Sequence, residues 1–207
     1  MKKLFILTFL GISSYCFAQN SDFAKELTEF RTNIYPLLNN YDSDKLLKYD
    51  FDETDLISTK IDSFVHANEH KIQKYQLQLL EQYSNDYNFT IKTDGFEQID
   101  VSDFNQKLNE IDVGLSNPIY KLLLINPIKE LEIYRNMYLM QKYTNTEFAV
   151  FSTKLTIVPS LIKTKKLKNG QWEIIENMHE FLIKANYDPK KGRITKIECY
   201  QRKLNNN

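Results

Sequence analysis

The stretch Leu161-Ile162-Lys163-Thr164-Lys165-Lys166-Leu167-Lys168-Asn169-Gly170-Gln171-Trp172-Glu173-Ile174-Ile175 carries the strongest structural signal in the chain. Asn-Gly between two strand-like runs signals a hairpin, because glycine adopts positive φ without a Cβ penalty. The stretch therefore predicts two antiparallel strands joined at Asn169-Gly170. Downstream, Phe181, Ile183, Ala185 and Tyr187 keep the period-two alternation of a half-buried strand. A bulge near Asn177 would bring Trp172 to Ile175 into the same strand, since one extra residue reverses the phase. Asp188-Pro189-Lys190-Lys191-Gly192 then turns the chain into Ile194 to Arg202. Upstream, Phe151, Leu155 and Ile157 share one alternating face until Pro159-Ser160 breaks the run. The C-terminal third is thus read as four antiparallel strands.

Towards the N-terminus the period changes. Phe23, Leu27, Phe30, Ile34 and Leu37/Leu38 recur at helical spacing after the capping pair Ser21-Asp22. Ile57, Ile61, Phe64/Val65, Ile72, Tyr75, Leu79 and Tyr83 form one apolar stripe, with Asn68 its only polar member, which predicts a single long helix. Asp94-Gly95 marks a short hairpin between Asn88–Thr93 and Phe96–Val101, and Ser102-Asp103 opens a further helix. Asn117-Pro118 and Asn126-Pro127 each join an N-cap side chain to a first-turn proline, and the second opens a helix through Tyr143. The fold class expected is α+β, N-terminal helices packed on a curved antiparallel sheet formed mainly by the C-terminal third. With 207 residues, 42% hydrophobic and 26% charged, and no Pro/Gly/Ser-rich linker, residues 19–207 are read as one domain and not as a disordered chain.

Residues 1–18 are read as a secretory signal. Lys2-Lys3 precede the short apolar run Leu4 to Ile12, and Ser13-Ser14-Tyr15-Cys16-Phe17-Ala18 ends it with small residues suited to cleavage after Ala18. The run is shorter than the roughly 20 residues of a membrane span. Tyr15 stands where a lipobox needs a small residue, which argues against lipid anchoring through Cys16. The expected location is therefore periplasmic or extracellular. Cleavage leaves Cys199 alone, so no disulfide closes within the chain, and its alternation with Ile197 reads as a small buried hydrophobe.

Candidate chemistry is sparse. There is no Gly-rich phosphate loop, no Gly-x-Ser-x-Gly elbow and no CxxC pair, so no cofactor is expected. The acidic run Asp50 to Asp55 fails as an EF-hand, whose glycine position falls on Asp55 and whose closing glutamate falls on Ile61. His66-Ala67-Asn68-Glu69-His70 matches the spacing H-x-x-E-H and resembles the inverted zinc-peptidase motif of the inverzincin family. That resemblance implies zinc ligands at His66, His70 and, downstream, Glu147, with Glu69 as base. On one continuous helix His66 and His70 fall about 140° and 180° from Ile61, away from the apolar stripe, where no dry cavity forms.

His179, alternating with Phe181 and Ile183, is the pocket candidate of the sheet, with Trp172 and Tyr187 as wall residues. Residues 19–146 hold 13 basic and 21 acidic side chains, and residues 147–207 hold 12 and 6, so the sheet region carries the positive charge. Lys163, Lys165, Lys166 and Lys168 lack interleaved aromatics, which suits a protected edge strand better than a nucleic-acid surface.

The order of elements and the segment Asn169-Gly170-Gln171-Trp172-Glu173-Ile174 resemble the NTF2-like (cystatin-like) cone superfamily. In that family a Gly-x-Trp-x-Ile segment opens one of the last strands. Its members include enzymes, binding modules and dimerisation domains, so the resemblance implies a fold and not a function. The expectation is a non-catalytic binding module for a small molecule or a partner protein. A homodimer is left open, and neither nucleic acid nor a membrane span is expected. The alternatives are a zinc hydrolase using His66, Glu69 and His70, or a periplasmic inhibitor or immunity protein.

Overall fold

The computed structural model describes residues 22–38, 56–84, 95–106, 108, 121–122, 124–142, 161–178 and 180–203. Residues 1–18, read above as a signal, the acidic run 50–55, residues 88–93 and 148–157, Glu147 and His179 lie outside the described residues. The architecture is α+β: N-terminal helices and an open five-stranded antiparallel sheet that is mostly C-terminal. The chain divides into two compact units, Met1–Tyr75 with Asn117–Leu122, and Gln76–Ser116 with Leu123–Asn207.

In the first unit, helix α1 spans Asp22–Leu38 and buries Phe23, Leu27 and Ile34, the stripe its spacing predicts. The Phe30 ring stacks on Phe64 at 3.9 Å, and Phe23 meets Tyr75 edge-on at 5.5 Å. The long helix expected over this region is two helices, α2 (Leu56–Ala67) and α3 (Glu69–Gln82), divided at Asn68. The reason is local competition for a carbonyl. The Asn68 side-chain amide donates to the Phe64 carbonyl (3.0 Å), the acceptor a continuous helix would give to its backbone N–H. That N–H donates instead to Val65 (3.2 Å), and the Asn68 carbonyl accepts from Ile72 (2.8 Å) to begin α3.

In the second unit, β1 (Phe96–Ile99), β2 (Leu161–Lys166), β3 (Trp172–Met178), β4 (Phe181–Asp188) and β5 (Arg193–Arg202) take the order β1-β5-β4-β3-β2. The Asn169-Gly170 hairpin forms where the dipeptide places it. The Leu167 carbonyl accepts from Gly170 (3.0 Å), Leu167 N–H donates to Gln171 (2.8 Å), and Gly170 takes φ +84°. Asp188 caps the β4–β5 turn through the amides of Lys190, Lys191 and Gly192, the last at φ +66°.

The single bulged strand expected from Trp172 to Tyr187 is a pair of strands, with Met178 opposite Phe181. A two-residue reversal shifts the inward phase by an odd step just as a bulge does, so alternation alone does not separate them. The bulge lies in β5: Asn186 faces Lys196 while Tyr187 faces Ile194, which leaves Thr195 as the extra residue. Ile194 and Ile197 consequently both point inward although three positions apart.

Helix α4 (Pro127–Lys142) starts on Asn126, whose side-chain oxygen accepts from the amides of Ile128 (2.9 Å) and Lys129 (3.3 Å). Its Ile128, Leu131, Tyr134, Tyr138 and Leu139 share one core with inward residues of β3, β4 and β5, Cys199 among them. Residues 102–106 are helical and bring Phe104 edge-on to Tyr138 at 5.8 Å.

Strand β1 covers only residues 199–202 of β5. Beyond it, the Asn105 side chain takes the place of a neighbouring strand. Its Nδ2 donates to the Ile197 carbonyl and its Oδ1 accepts from the Ile197 amide, both at 2.8 Å. Asn105→Ala strands both backbone groups and is expected to lower unfolding free energy by about 2 kcal/mol. Urea denaturation checks it, and a loss within error would show that water replaces the amide at no cost.

Candidate functional site

The inner face of the sheet carries one transverse row in which Trp172 pairs with Tyr187 and Tyr187 pairs with Ile194. Glu130, in the first turn of α4, reaches the same row, where its Oε1 accepts from the Ile194 amide at 2.8 Å. Glu130 and Tyr187 are fully buried and Trp172 is 3% exposed. The Trp172 Nε1, the Tyr187 hydroxyl and the second carboxyl oxygen of Glu130 have no protein hydrogen-bond partner. A buried polar atom left unmet costs about 1–3 kcal/mol, so three in one row call for an explanation.

Burial pushes the Glu130 carboxyl up to about 8, against the opposing effects of the Ile194 amide, the Tyr134 hydroxyl and the Arg193 charge. At neutral pH it is therefore mainly the uncharged acid, with a proton to donate. Burial, the Glu130 carboxyl and Asp188 push the Tyr187 hydroxyl above its ordinary value, so it too keeps its proton.

One ion pair is buried on the same face. Arg135 of α4 meets Glu176 of β3, at 7% and 2% exposure, and the second Glu176 oxygen has no partner. Both charges are withdrawn from water, so each depends on the other.

Two of the three pocket residues expected from sequence, Trp172 and Tyr187, thus stand side by side on β3 and β4. The third, His179, lies outside the described residues. The H-x-x-E-H segment takes a different shape from the continuous helix assumed for it. The Asn68 turn separates His66, at the end of α2, from Glu69 and His70, at the start of α3. The His66 ring nitrogen bonds Glu69 at 3.0 Å, with both side chains exposed to solvent, and His70 is exposed as well. Among the described residues no group of three His, Cys, Asp or Glu side chains is placed to hold a metal, and Glu147 lies outside them.

Sequence reasoning missed Glu130 and Glu176. The signal for the first was its spacing, four residues before inward Tyr134 and beside inward Leu131. The signal for the second was Arg135 within the apolar stripe of α4, since a cation on a buried face demands an acid opposite it. A shallow groove of about 430 Å³ also opens at the β1–β5 edge, lined by Gln98, Asp100, Ser102, Asn105, Lys196 and Glu198. Its polar groups are largely engaged with one another: Asp100 accepts from Ser102, Lys196 bonds Glu198, and Asn105 holds Ile197.

Fold and site together define an α+β protein whose open antiparallel sheet carries buried, chemically unsatisfied polar groups beneath a helix. No family model, no curated protein and no solved structure matches the chain.

Proposed function

We propose that this chain is an exported, non-catalytic binding protein that holds a small molecule between α4 and the inner face of its sheet. The observation that carries the reading is the row of buried polar atoms without protein partners, from Trp172, Tyr187 and Glu130. A few polar groups set among apolar side chains, as Trp172, Tyr187 and Glu130 are here, is the composition by which small-molecule sites fix a ligand. Trp172 and Tyr187 offer ring surface and hydrogen bonds and no ready nucleophile. The NTF2-like resemblance belongs to the same reading, with Gly170-Gln171-Trp172-Glu173-Ile174 opening a strand of the pocket wall. The N-terminal charge, short apolar run and small-residue site support export, which would put the ligand outside the cytoplasm.

Native mass spectrometry of the protein purified from its own host tests the reading. A defined small-molecule adduct is expected, reduced in Tyr187→Phe, which removes one polar group and keeps the ring. A chain that arrives bare, or an adduct untouched by Tyr187→Phe, overturns it.

A further inference from the structure

Resting on the binding reading, we propose that the ligand is an uncharged, mainly apolar molecule bearing hydrogen-bond-accepting oxygen, which the donors of the row formed by Glu130, Tyr187 and Trp172 would meet. The indole N–H of Trp172 is a donor only, and a tyrosine hydroxyl donates its single proton. Glu130 has one carboxyl oxygen taken by the Ile194 amide, which leaves the other to present the acid proton. All three unmet groups can therefore act as donors, a set that an acceptor satisfies and an ammonium group does not. The surrounding inner face, with Leu131, Ile174, Ala185 and Ile197, is apolar and closed to water. An anion would require a buried cation, and Arg135 is already committed to Glu176.

The protonation of Glu130 supplies the readout. The charged and titratable groups acting on the site are Tyr134 on its own helix, Tyr187 and Asp188 on β4, and Arg193 on β5. With its carboxyl pushed up to about 8, Glu130 donates at neutral pH and becomes an anionic acceptor in mildly alkaline solution. Affinity for an acceptor ligand must then fall as pH rises, and affinity for a cation must increase.

Trp172 is the only tryptophan, so its emission reports the site without a label. The probes are cyclohexyl methyl ketone and cyclohexylmethylamine, which share an apolar ring and differ in the polar group. The ketone is expected to shift Trp172 emission saturably, with Kd weakening about tenfold per pH unit above the Glu130 titration. Glu130→Gln, which still donates through its amide, is expected to bind the ketone with no such pH dependence. Tyr187→Phe is expected to weaken the ketone about tenfold. Preference for the amine, with affinity rising with pH, overturns the ligand class and leaves the binding reading standing. Silence towards both probes into the tens of millimolar overturns the inference, while the native adduct decides the binding reading separately.

Discussion

Glu176→Leu is expected to lower the unfolding free energy by about 3–5 kcal/mol, the cost of leaving a buried cation without its partner. Arg135 lies on the inner face of α4 at 7% exposure, too deep for water to replace the lost carboxylate. Glu132 is the nearest substitute, but it stands 3.9 Å from the guanidinium and is one-third exposed, so solvent screens it. Against a total stability of about 5–15 kcal/mol for an ordinary domain, such a loss moves the urea midpoint by a large fraction of its value.

The double variant Arg135→Met with Glu176→Leu removes both charges at similar volume and is expected to regain most of the loss, since a buried pair and its apolar replacement are often nearly equal in energy. Equilibrium urea unfolding of the single and double variants measures the coupling. A single variant that costs less than about 1 kcal/mol, with no recovery in the double, would show that the pair is solvated in solution.

Glu130 is expected to make the protein lose stability as pH rises from about 4.5 to about 8, the reverse of the usual carboxylate effect. The folded state holds the proton until about pH 8, whereas the unfolded chain releases it near the ordinary glutamate value of 4.5. Throughout that window the folded state binds more protons, so stability falls with rising pH. The contribution is fully present below the unfolded value, declines by up to about 1.4 kcal/mol per pH unit, and is gone above the folded value. Across the whole window the loss is on the order of 5 kcal/mol.

Other carboxylates also titrate at the acid end, so the informative quantity is the difference between Glu130→Gln and the parent. Glutamine keeps an acceptor for the Ile194 amide and never ionises. The stability difference should rise in favour of Glu130→Gln between about pH 5 and pH 8 and then level off. A difference that stays flat across that range would mean that Glu130 is ionised in the folded protein.

Glu176 and Glu130 both owe their surroundings to contacts between segments distant in the chain. The strand-forming third was legible because period-two alternation and Asn169-Gly170 are local signals, and both hold in the structure. Asn126 was legible as a helix cap for the same reason, since its side chain serves amides two and three residues away. The division of the long helix at Asn68 was not, because an asparagine on an apolar stripe fits a continuous helix as well as a turn. The reversal that sets Met178 opposite Phe181 is indistinguishable from a bulge in the sequence, because both shift the phase by an odd number.

Trp172 and Tyr187 are legible as inward side chains because they belong to the alternating face. Their neighbour Glu130 comes from a separate element well upstream in the chain. Burial is a property of the assembled layers, so a glutamate in a helix's first turn reads in sequence as an ordinary complement to the helix dipole. Only the packing of α4 over β4 and β5 makes it a buried acid.

The class of fold, the local turns and caps, and the faces that seek burial are written in the chain's own order of residues, because they follow from spacing and backbone preference within a few residues. Strand order, the bulge at Thr195, the Arg135–Glu176 pair and the shared row of Glu130, Tyr187 and Trp172 arise from the assembled fold. Those depend on which distant segments share a face, and on water being driven from between them, which alone turns ordinary polar side chains into a row of unmet donors.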